Sequence, residues 1–419
     1  MKITIVGAGS SYTPEVFEKL QEMGDRLPVE TITLMDIDSE RLDIVYGFCC
    51  RYAVHLGMNV KVEKTTQLSE ALPGADFVIV QIRVGGNHAR INDEKIPLSF
   101  GVVGQETTGA GGFMKALRTV PVMIELGKAV EKYCPDAWIV NYTNPTGIVA
   151  EAVNKYTNAK IAGLCAGGMN PRNWTAMGLD VDPSLIRYDM IGLNHMCFGY
   201  NIHIGQKPLS EEQFKKVAEY RGPEDAKLCV ELGCLPSPYL QYYYHTSKRV
   251  KELQEKELSR AQEVLLVEKE VYADYSNPEC CTKPQSILKR GGGGYSEIAI
   301  GFIDAVWNNR DTWMVVNVPN NGTVEWLPDD AVIETGCMVN ASGINALNMA
   351  PSPKAVRGLI CAVKNYEQLA IEAAVTGSVE TAELALLAHP LVKDWELVEK
   401  MLPKLLEANM QWLPNFQKN

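Results

Sequence analysis

The sequence predicts an α/β chain, a Rossmann-like doubly wound parallel sheet followed by an α+β domain. Three observations carry that reading. Short apolar runs alternate with helical stretches through the first half; the first run, residues 2–6, feeds the glycine-rich turn Gly7-Ala8-Gly9-Ser10; and the second, residues 32–35, ends on Asp36. Alternation of this kind marks a parallel sheet, because each strand needs a crossover before the next can run the same way. A strand, a glycine-rich turn and an acid closing the next strand is an arrangement that holds a dinucleotide.

The turn comes first. Backbone N–H groups of Gly7, Gly9, Ser10 and Ser11, with the N-terminus of the helix behind them, suit a pyrophosphate. The Asp36 carboxylate accepts both ribose hydroxyls and repels a 2′-phosphate, which favours NAD over NADP. Tyr12 takes the place of the motif's third glycine, and Pro14 falls where the helix is expected to be running already. A glycine-rich turn that binds nothing is the alternative. Further apolar runs at 77–81, 138–141 and 160–165 complete five strands and set a nucleotide domain at residues 1–165. A polar loop at 101–112 precedes a helix over 113–133, and such loops at strand carboxyl ends are where α/β proteins place ligands. Beyond residue 165 the pattern loosens into a second domain, 166–419. It holds a charged amphipathic helix over 253–272, a helix opened by the glycine run after Arg290, a strand at 315–318, a turn at 319–322 and a mainly helical tail over 354–406.

At 419 residues, 46% hydrophobic and 22% charged, the chain can bury a substantial core. A net charge of −11 argues against nucleic acid and anionic membranes as partners, since both select clustered Lys and Arg. No run approaches the roughly 20 apolar residues of a bilayer span. The first strand begins at residue 2, so no secretory leader is expected. The eleven cysteines are odd in number and include the adjacent pairs Cys49-Cys50 and Cys280-Cys281, unlike a disulfide framework. A reducing cytoplasm is the expected location.

Polar residues at strand ends need a reason. Arg83 and Arg90 follow the third strand and can lie at the nicotinamide end; the Arg90 guanidinium suits hydroxyl pairs and anions, with a surface ion pair to Asp93 or Glu94 as the alternative. Asn144, before Pro145 after the fourth strand, is biased to an extended backbone and can present its amide to a ligand, or simply cap a turn. Cys165 and His195 each end an apolar strand. A thiolate and an imidazole from separate strand ends can hold a divalent ion with positions open for substrate oxygens, while a buried cysteine and a hydrogen-bonded histidine are the plainer explanation. Tyr239, Tyr242, Tyr243 and Tyr244 form a cluster; most such clusters are packing, yet a phenol beside a cation can act as a general base.

Together, Gly7-Ala-Gly-Ser-Ser-Tyr-Thr-Pro14, Arg90-Ile-Asn-Asp-Glu94, Gly104-Gln-Glu-Thr-Thr-Gly109, Asn144-Pro145, Gly192-Leu-Asn-His195 and Tyr239-Leu-Gln-Tyr-Tyr resemble glycoside hydrolase family four, in order along the chain. The resemblance implies a lactate/malate dehydrogenase-like fold overall, NAD and Mn²⁺ (or another divalent ion) as cofactors, and a small (phospho)glycoside as substrate. It places Cys165 and His195 on the metal, and Arg90, Asn144 and Arg260 on the substrate. Gly7, Gly9, Ser10, Ser11, Asp36, Arg83 and Asn144 fall to NAD, Tyr239 is the general base, and Glu106 is the acid that tunes the tyrosine or the metal shell. The implied chemistry is oxidation at C3, loss of the C2 proton, elimination of the aglycone, addition of water and return of the hydride, which needs no pair of catalytic carboxylates. The segments at 289–296 and 318–330 resemble the 6-phospho-β-glucosidase branch, with Arg290 a candidate for the 6-phosphate. One departure is Ala166, where phospho-α-glucosidases of the family carry an aspartate that helps the leaving group and phospho-β-glucosidases usually an asparagine. A homodimer or homotetramer is implied. Another specificity of the family, or a lactate/malate dehydrogenase-like oxidoreductase, are the alternatives.

Overall fold

The computed structural model describes residues 1–290 and 294–417. Strands β1 (Lys2–Val6), β2 (Thr31–Met35), β3 (Lys61–Thr65), β4 (Phe77–Val80), β5 (Trp138–Asn141) and β6 (Lys160–Gly163) lie side by side in the order β3-β2-β1-β4-β5-β6, all parallel. Ile3, Ile5, Val78, Ile79 and Val80 are completely buried, with Ile5 and Ile79 packing into one core and Val78 and Val80 into another. Burial on both faces explains why these strands read as unbroken apolar runs. The run of five strands inferred from sequence omits β3, whose Lys61-Val-Glu-Lys-Thr65 carries charges along the exposed edge of the sheet. Chain order reverses between β1 and β4, and a doubly wound sheet takes its ligand at the carboxyl ends of those two strands.

The second half contributes to two sheets. β7 (Ile186–Leu193) and β8 (Met196–Ile204) form a hairpin, and the short β9 (Lys207–Pro208) and β10 (Leu235–Pro236) pair with β8. β11 (Thr312–Pro319), β12 (Val332–Asn340) and β13 (Gly343–Ala346) return to the main sheet and extend it antiparallel, with Asn317 of β11 opposite Gly163 of β6. The strand expected at 315–318 is thus the middle of an eight-residue strand in a nine-stranded sheet.

Two helix boundaries differ from the sequence reading. The helix expected over 253–272 is two helices, Thr246–Gln254 and Arg260–Ser276. A reciprocal cap restarts the second: the Ser259 hydroxyl accepts from the Gln262 N–H, while the Gln262 side chain accepts from the Ser259 N–H. The helix expected from residue 113 starts at Gly109 and runs to Tyr133. A Cβ on Gly111 would stand 2.2 Å from the Gln105 carbonyl oxygen and one on Gly112 2.5 Å from that of Thr107. These glycines bring loop 104–108 hard against the first turn of the helix; they do not loosen it. Pro14 lies in the first turn of helix Thr13–Met23, where an N–H has no intrahelical partner to lose. The glycines at 291–293 lie outside the described residues; Arg290 ends one helix and the next runs Tyr295–Trp307. Helices Lys354–Thr376, Val379–Ala388 and Trp395–Asn409 form the tail. Among the described residues no helix is long and apolar enough to cross a membrane, and all eleven cysteines are free.

Candidate active site

At the carboxyl end of β1, the Gly7 and Ala8 N–H groups both donate to the Met35 carbonyl, which ties the turn to β2. Gly7 has φ +86°, and a Cβ there would meet the Gln81 backbone at 2.9 Å, so the turn is available only to glycine. Asp36 accepts from the Gly9 N–H at 2.8 Å through one carboxylate oxygen and from the Asp38 N–H at 3.0 Å through the other. Helix Arg260–Ser276 closes over the turn: Tyr272 Oη donates to the Gly9 carbonyl and Tyr275 Oη to the Ser11 carbonyl, each at 2.8 Å. Around this crevice Ser11 Oγ, Tyr12 Oη, Arg41 Nε and Asn87 Oδ1 are buried without a hydrogen-bond partner. Buried polar atoms are rarely left so. Their concentration on segments leaving β1, β2 and β4 fits a polar group such as a dinucleotide lying across those strand ends.

Beyond the crevice, four charges meet. Glu106, in the loop before helix Gly109–Tyr133, accepts from Arg83, from Lys115 Nζ at 2.9 Å and from Arg90 Nη1 at 3.1 Å. Burial alone would raise the Glu106 carboxyl; Arg83, Lys115 and Arg90 outweigh it and hold the group well below the usual range. Burial, with Arg83 beside it, pushes the Lys115 ammonium down to about 7. Arg90 is not on the surface: it is 8% exposed, and its Nε also donates to Glu94 at 2.7 Å. Asp93, its other expected partner, is taken by Arg118 in a buried two-pronged pair. Lys115 is absent from the sequence reading: in Phe113-Met-Lys-Ala-Leu-Arg-Thr-Val120, with Arg118 and Thr119 close by, it looks like an ordinary helical lysine.

The third part is a hairpin. Asn194 and His195 form the two-residue turn between β7 and β8, and His195 sits at φ +64°. Its ring lies face to face with Tyr239, centroids 3.7 Å apart and planes 3° from parallel, while Nδ1 is 2.9 Å from Thr107 Oγ1. Burial holds the imidazole down to about 3, so it is neutral. Burial raises the Tyr239 phenol far above its ordinary value, and Tyr295, Cys165 and Glu106 lie near enough to push it further. Cys165, just past β6, accepts from the Gly167 N–H through Sγ; burial, with Glu334 nearby, pushes its thiol up to about 12. Ala166 begins the short turn that follows.

The structure therefore gathers Arg83, Arg90, Glu106, Cys165, His195 and Tyr239. Asn144, joined to Pro145 by a cis peptide, accepts from the Thr146 hydroxyl at 3.3 Å. Arg260 lies half exposed at the helix start, bound to Glu263 at 2.9 Å and to the Arg290 carbonyl at 2.6 Å. Arg290 pairs with Glu268 at 3.0 Å and lies 4.0 Å over the Tyr12 ring. Among the described residues no three His, Cys, Asp or Glu side chains gather into a metal site. A soft thiolate and a neutral imidazole suit a borderline divalent ion whose remaining positions go to substrate or water, and coordination itself deprotonates the thiol.

Comparison with known proteins agrees. The description Family 4 glycosyl hydrolase matches residues 2–173, and Family 4 glycosyl hydrolase C-terminal domain matches residues 190–392. The chain is 37% identical to a probable 6-phospho-beta-glucosidase of Bacillus subtilis (strain 168) over 432 residues, covering 99% of this chain and 98% of that one. It superposes with a TM-score of 0.91 and 35% identity on the 6-phospho-beta glucosidase of Thermotoga maritima solved with manganese, NAD+ and glucose-6-phosphate, covering 98% and 99% of the two chains. A malate dehydrogenase from Plasmodium falciparum, at 14% identity and a TM-score of 0.54 over 91% of this chain and 99% of its own, shares the fold alone. The chain belongs to family 4 of the glycosyl hydrolases.

Proposed function

We propose that the chain is a 6-phospho-β-glucosidase that works with resident NAD and Mn²⁺. The observation that carries this is the stack of Tyr239 on His195 beside Cys165 and Glu106, which sets the candidate base face to face with a candidate metal ligand. Gly7, Gly9, Ser10, Ser11 and Asp36 hold the dinucleotide, with Arg83 and Asn144 toward its nicotinamide end. Cys165 and His195 hold the cation. When bound, NAD would supply the hydride acceptor and donor for C3, and Mn²⁺ a Lewis acid for the sugar oxygens. Burial raises the Tyr239 phenol, so Tyr239 Oη would take the C2 proton as a phenolate formed when the cation held by Cys165 and His195 lowers it. Arg90, Asn144 and Arg260 orient the sugar, and the positive surplus around Glu106 stabilises negative charge as it develops. Ala166 has no proton to give, so the aglycone departs by elimination as C2 is deprotonated, without an acid at that position.

In this reading residues 1–165 bind the cofactor and residues 166–419 supply the base, one metal ligand and the assembly contacts of a cytoplasmic homodimer or homotetramer. Eleven free cysteines suit a reducing compartment. The test is to incubate the chain with NAD+, Mn²⁺ and chromogenic α- and β-glucosides, with and without a 6-phosphate. Release of aglycone from the phosphorylated β-glycoside without net NADH is expected, with a kinetic isotope effect for substrate deuterated at C2. Steady accumulation of NADH with a 2-hydroxy acid instead, or complete retention of the C2 label, sinks the reading.

A further inference from the structure

The turn that carries His195 is held from outside. Its left-handed φ of +64° is unusual for a residue with a side chain, and His195 is only 6% exposed. The ring has Tyr239 on one face, and Nδ1 lies 2.9 Å from Thr107 Oγ1 on loop 104–108, which is remote in sequence. Thr107 Oγ1 is also 3.0 Å from Gln105 Oε1, and the same Oε1 is 2.6 Å from the Thr107 backbone nitrogen.

These three contacts have one consistent polarity. A backbone N–H can only donate, so the Gln105 atom that faces it is the carbonyl oxygen and not the amide nitrogen. That oxygen can only accept, so in a hydrogen bond between them the Thr107 hydroxyl gives it its single proton. With its proton spent, the hydroxyl faces His195 as an acceptor, and Nδ1 must carry a hydrogen. In a neutral imidazole this leaves the lone pair on Nε2, the atom required to bind a cation.

We propose that Thr107 and Gln105 are positioning residues which fix His195 as its Nδ1–H tautomer and so present Nε2 to the divalent ion. The inference rests on the reading that His195 and Cys165 hold that ion. Outer partners of this kind commonly orient a ligating histidine, and their loss lowers metal affinity about ten- to hundredfold.

The test uses the full chain. Nitrogen NMR of metal-free protein labelled with ¹⁵N-histidine, the His195 signal assigned by its loss in His195→Gln, reports the tautomer directly. The free-ion EPR signal during a titration with Mn²⁺ alone reports affinity. The wild type is expected to show Nδ1 protonated and Nε2 bare. Thr107→Val should populate the Nε2–H form and weaken Mn²⁺ binding about ten- to hundredfold; Thr107→Ser, which restores the hydroxyl, should recover both readouts. Gln105→Leu leaves Thr107 in place and serves if Thr107→Val does not fold. Without its acceptor the hydroxyl turns toward Nδ1, and the Nε2–H form should grow. A wild type with Nε2 protonated, or a folded Thr107→Val with unchanged tautomer and Mn²⁺ affinity, overturns the proposal. A wild type with Nδ1 protonated that takes up no Mn²⁺ would support the relay and reject the metal reading instead.

Discussion

Around Glu106 three cations converge on one carboxylate, whereas around Lys364 two carboxylates share one cation. Lys364 Nζ lies 2.6 Å from Glu151 Oε2 and 2.5 Å from Glu367 Oε2, deep in the packing of helix Lys354–Thr376. The ingredients match but the surpluses are opposite, and the groups respond in opposite ways. At Glu106 the excess of positive charge holds the carboxyl down and helps burial to depress Lys115; at Glu367 burial, with Glu151 beside it, raises the carboxyl to about 7. Glu151 also accepts from the Val332 N–H at 2.8 Å, so this second cluster ties helix Lys354–Thr376 to the start of β12. A positive surplus at the strand ends is useful to a site that must receive an anion, while a negative surplus inside helix packing is relieved by a proton and does structural work. Ion clusters are therefore told apart by the sign of their imbalance and by what they face, not by burial.

That contrast can be broken by two substitutions with separate readouts. Tyr239→Phe keeps the ring against His195 and removes the proton acceptor beside the first cluster. It should lower kcat by about 10²–10⁴ with almost no change in Tm. Lys364→Met strips the second cluster of its cation and leaves two buried carboxylates. It should cost about 3–5 kcal/mol in urea unfolding while leaving kcat of the folded enzyme unchanged. Loss of turnover in folded Lys364→Met would show that the two clusters are coupled. They could meet through the cavity that Glu367, Tyr243 and His389 share with Thr107 and His195.

A pH series sharpens the same point at smaller cost. Glu367 titrates near 7 in the folded chain against an ordinary 4.5, so between those values the folded state keeps a proton that the unfolded state has released. Its contribution to stability is full below 4.5 and is lost as pH rises through 7. Glu367→Gln lacks this dependence. Its stability relative to wild type should climb between pH 4.5 and 7, by up to about 3 kcal/mol for a shift of this size. A difference that stays flat across the range would mean that Lys364 alone neutralises the cluster.

The two regions were also unequally legible. The parallel sheet shows in the sequence because burial on both faces forces apolar runs, and the cofactor turn because Gly7 has a conformation other residues avoid. The edge strand β3 hides because one side meets water. Individual site residues such as Cys165, His195 and Tyr239 were legible through short motifs, yet their convergence was not, since they arrive from β6, a hairpin turn and the loop after β10. Thr107 and Lys115 were missed for a different reason. A hydroxyl in Gln105-Glu-Thr-Thr108 and a lysine in a helix are ordinary in sequence, and only the fold shows the one at an imidazole and the other buried against Glu106.

Arg260 supplies the smallest effect and the hardest case, a charge that belongs to neither cluster. Its side chain is 45% exposed and its partner Glu263 is 39% exposed, so solvent screens the pair. Surface bridges of this kind contribute about 0–1 kcal/mol, and Arg260→Ala should hardly move Tm. The guanidinium nevertheless stands at the mouth of the crevice, bonded to the Arg290 carbonyl, and Arg290 lies over Tyr12 beside the cofactor turn. If Arg260 swings from Glu263 to the sugar, Arg260→Ala removes binding present equally in ground and transition states. KM should then rise several-fold at unchanged kcat. An unchanged KM would assign Arg260 to the helix start alone, and a fall in kcat would place it with Tyr239 among the groups that act on the reacting carbons.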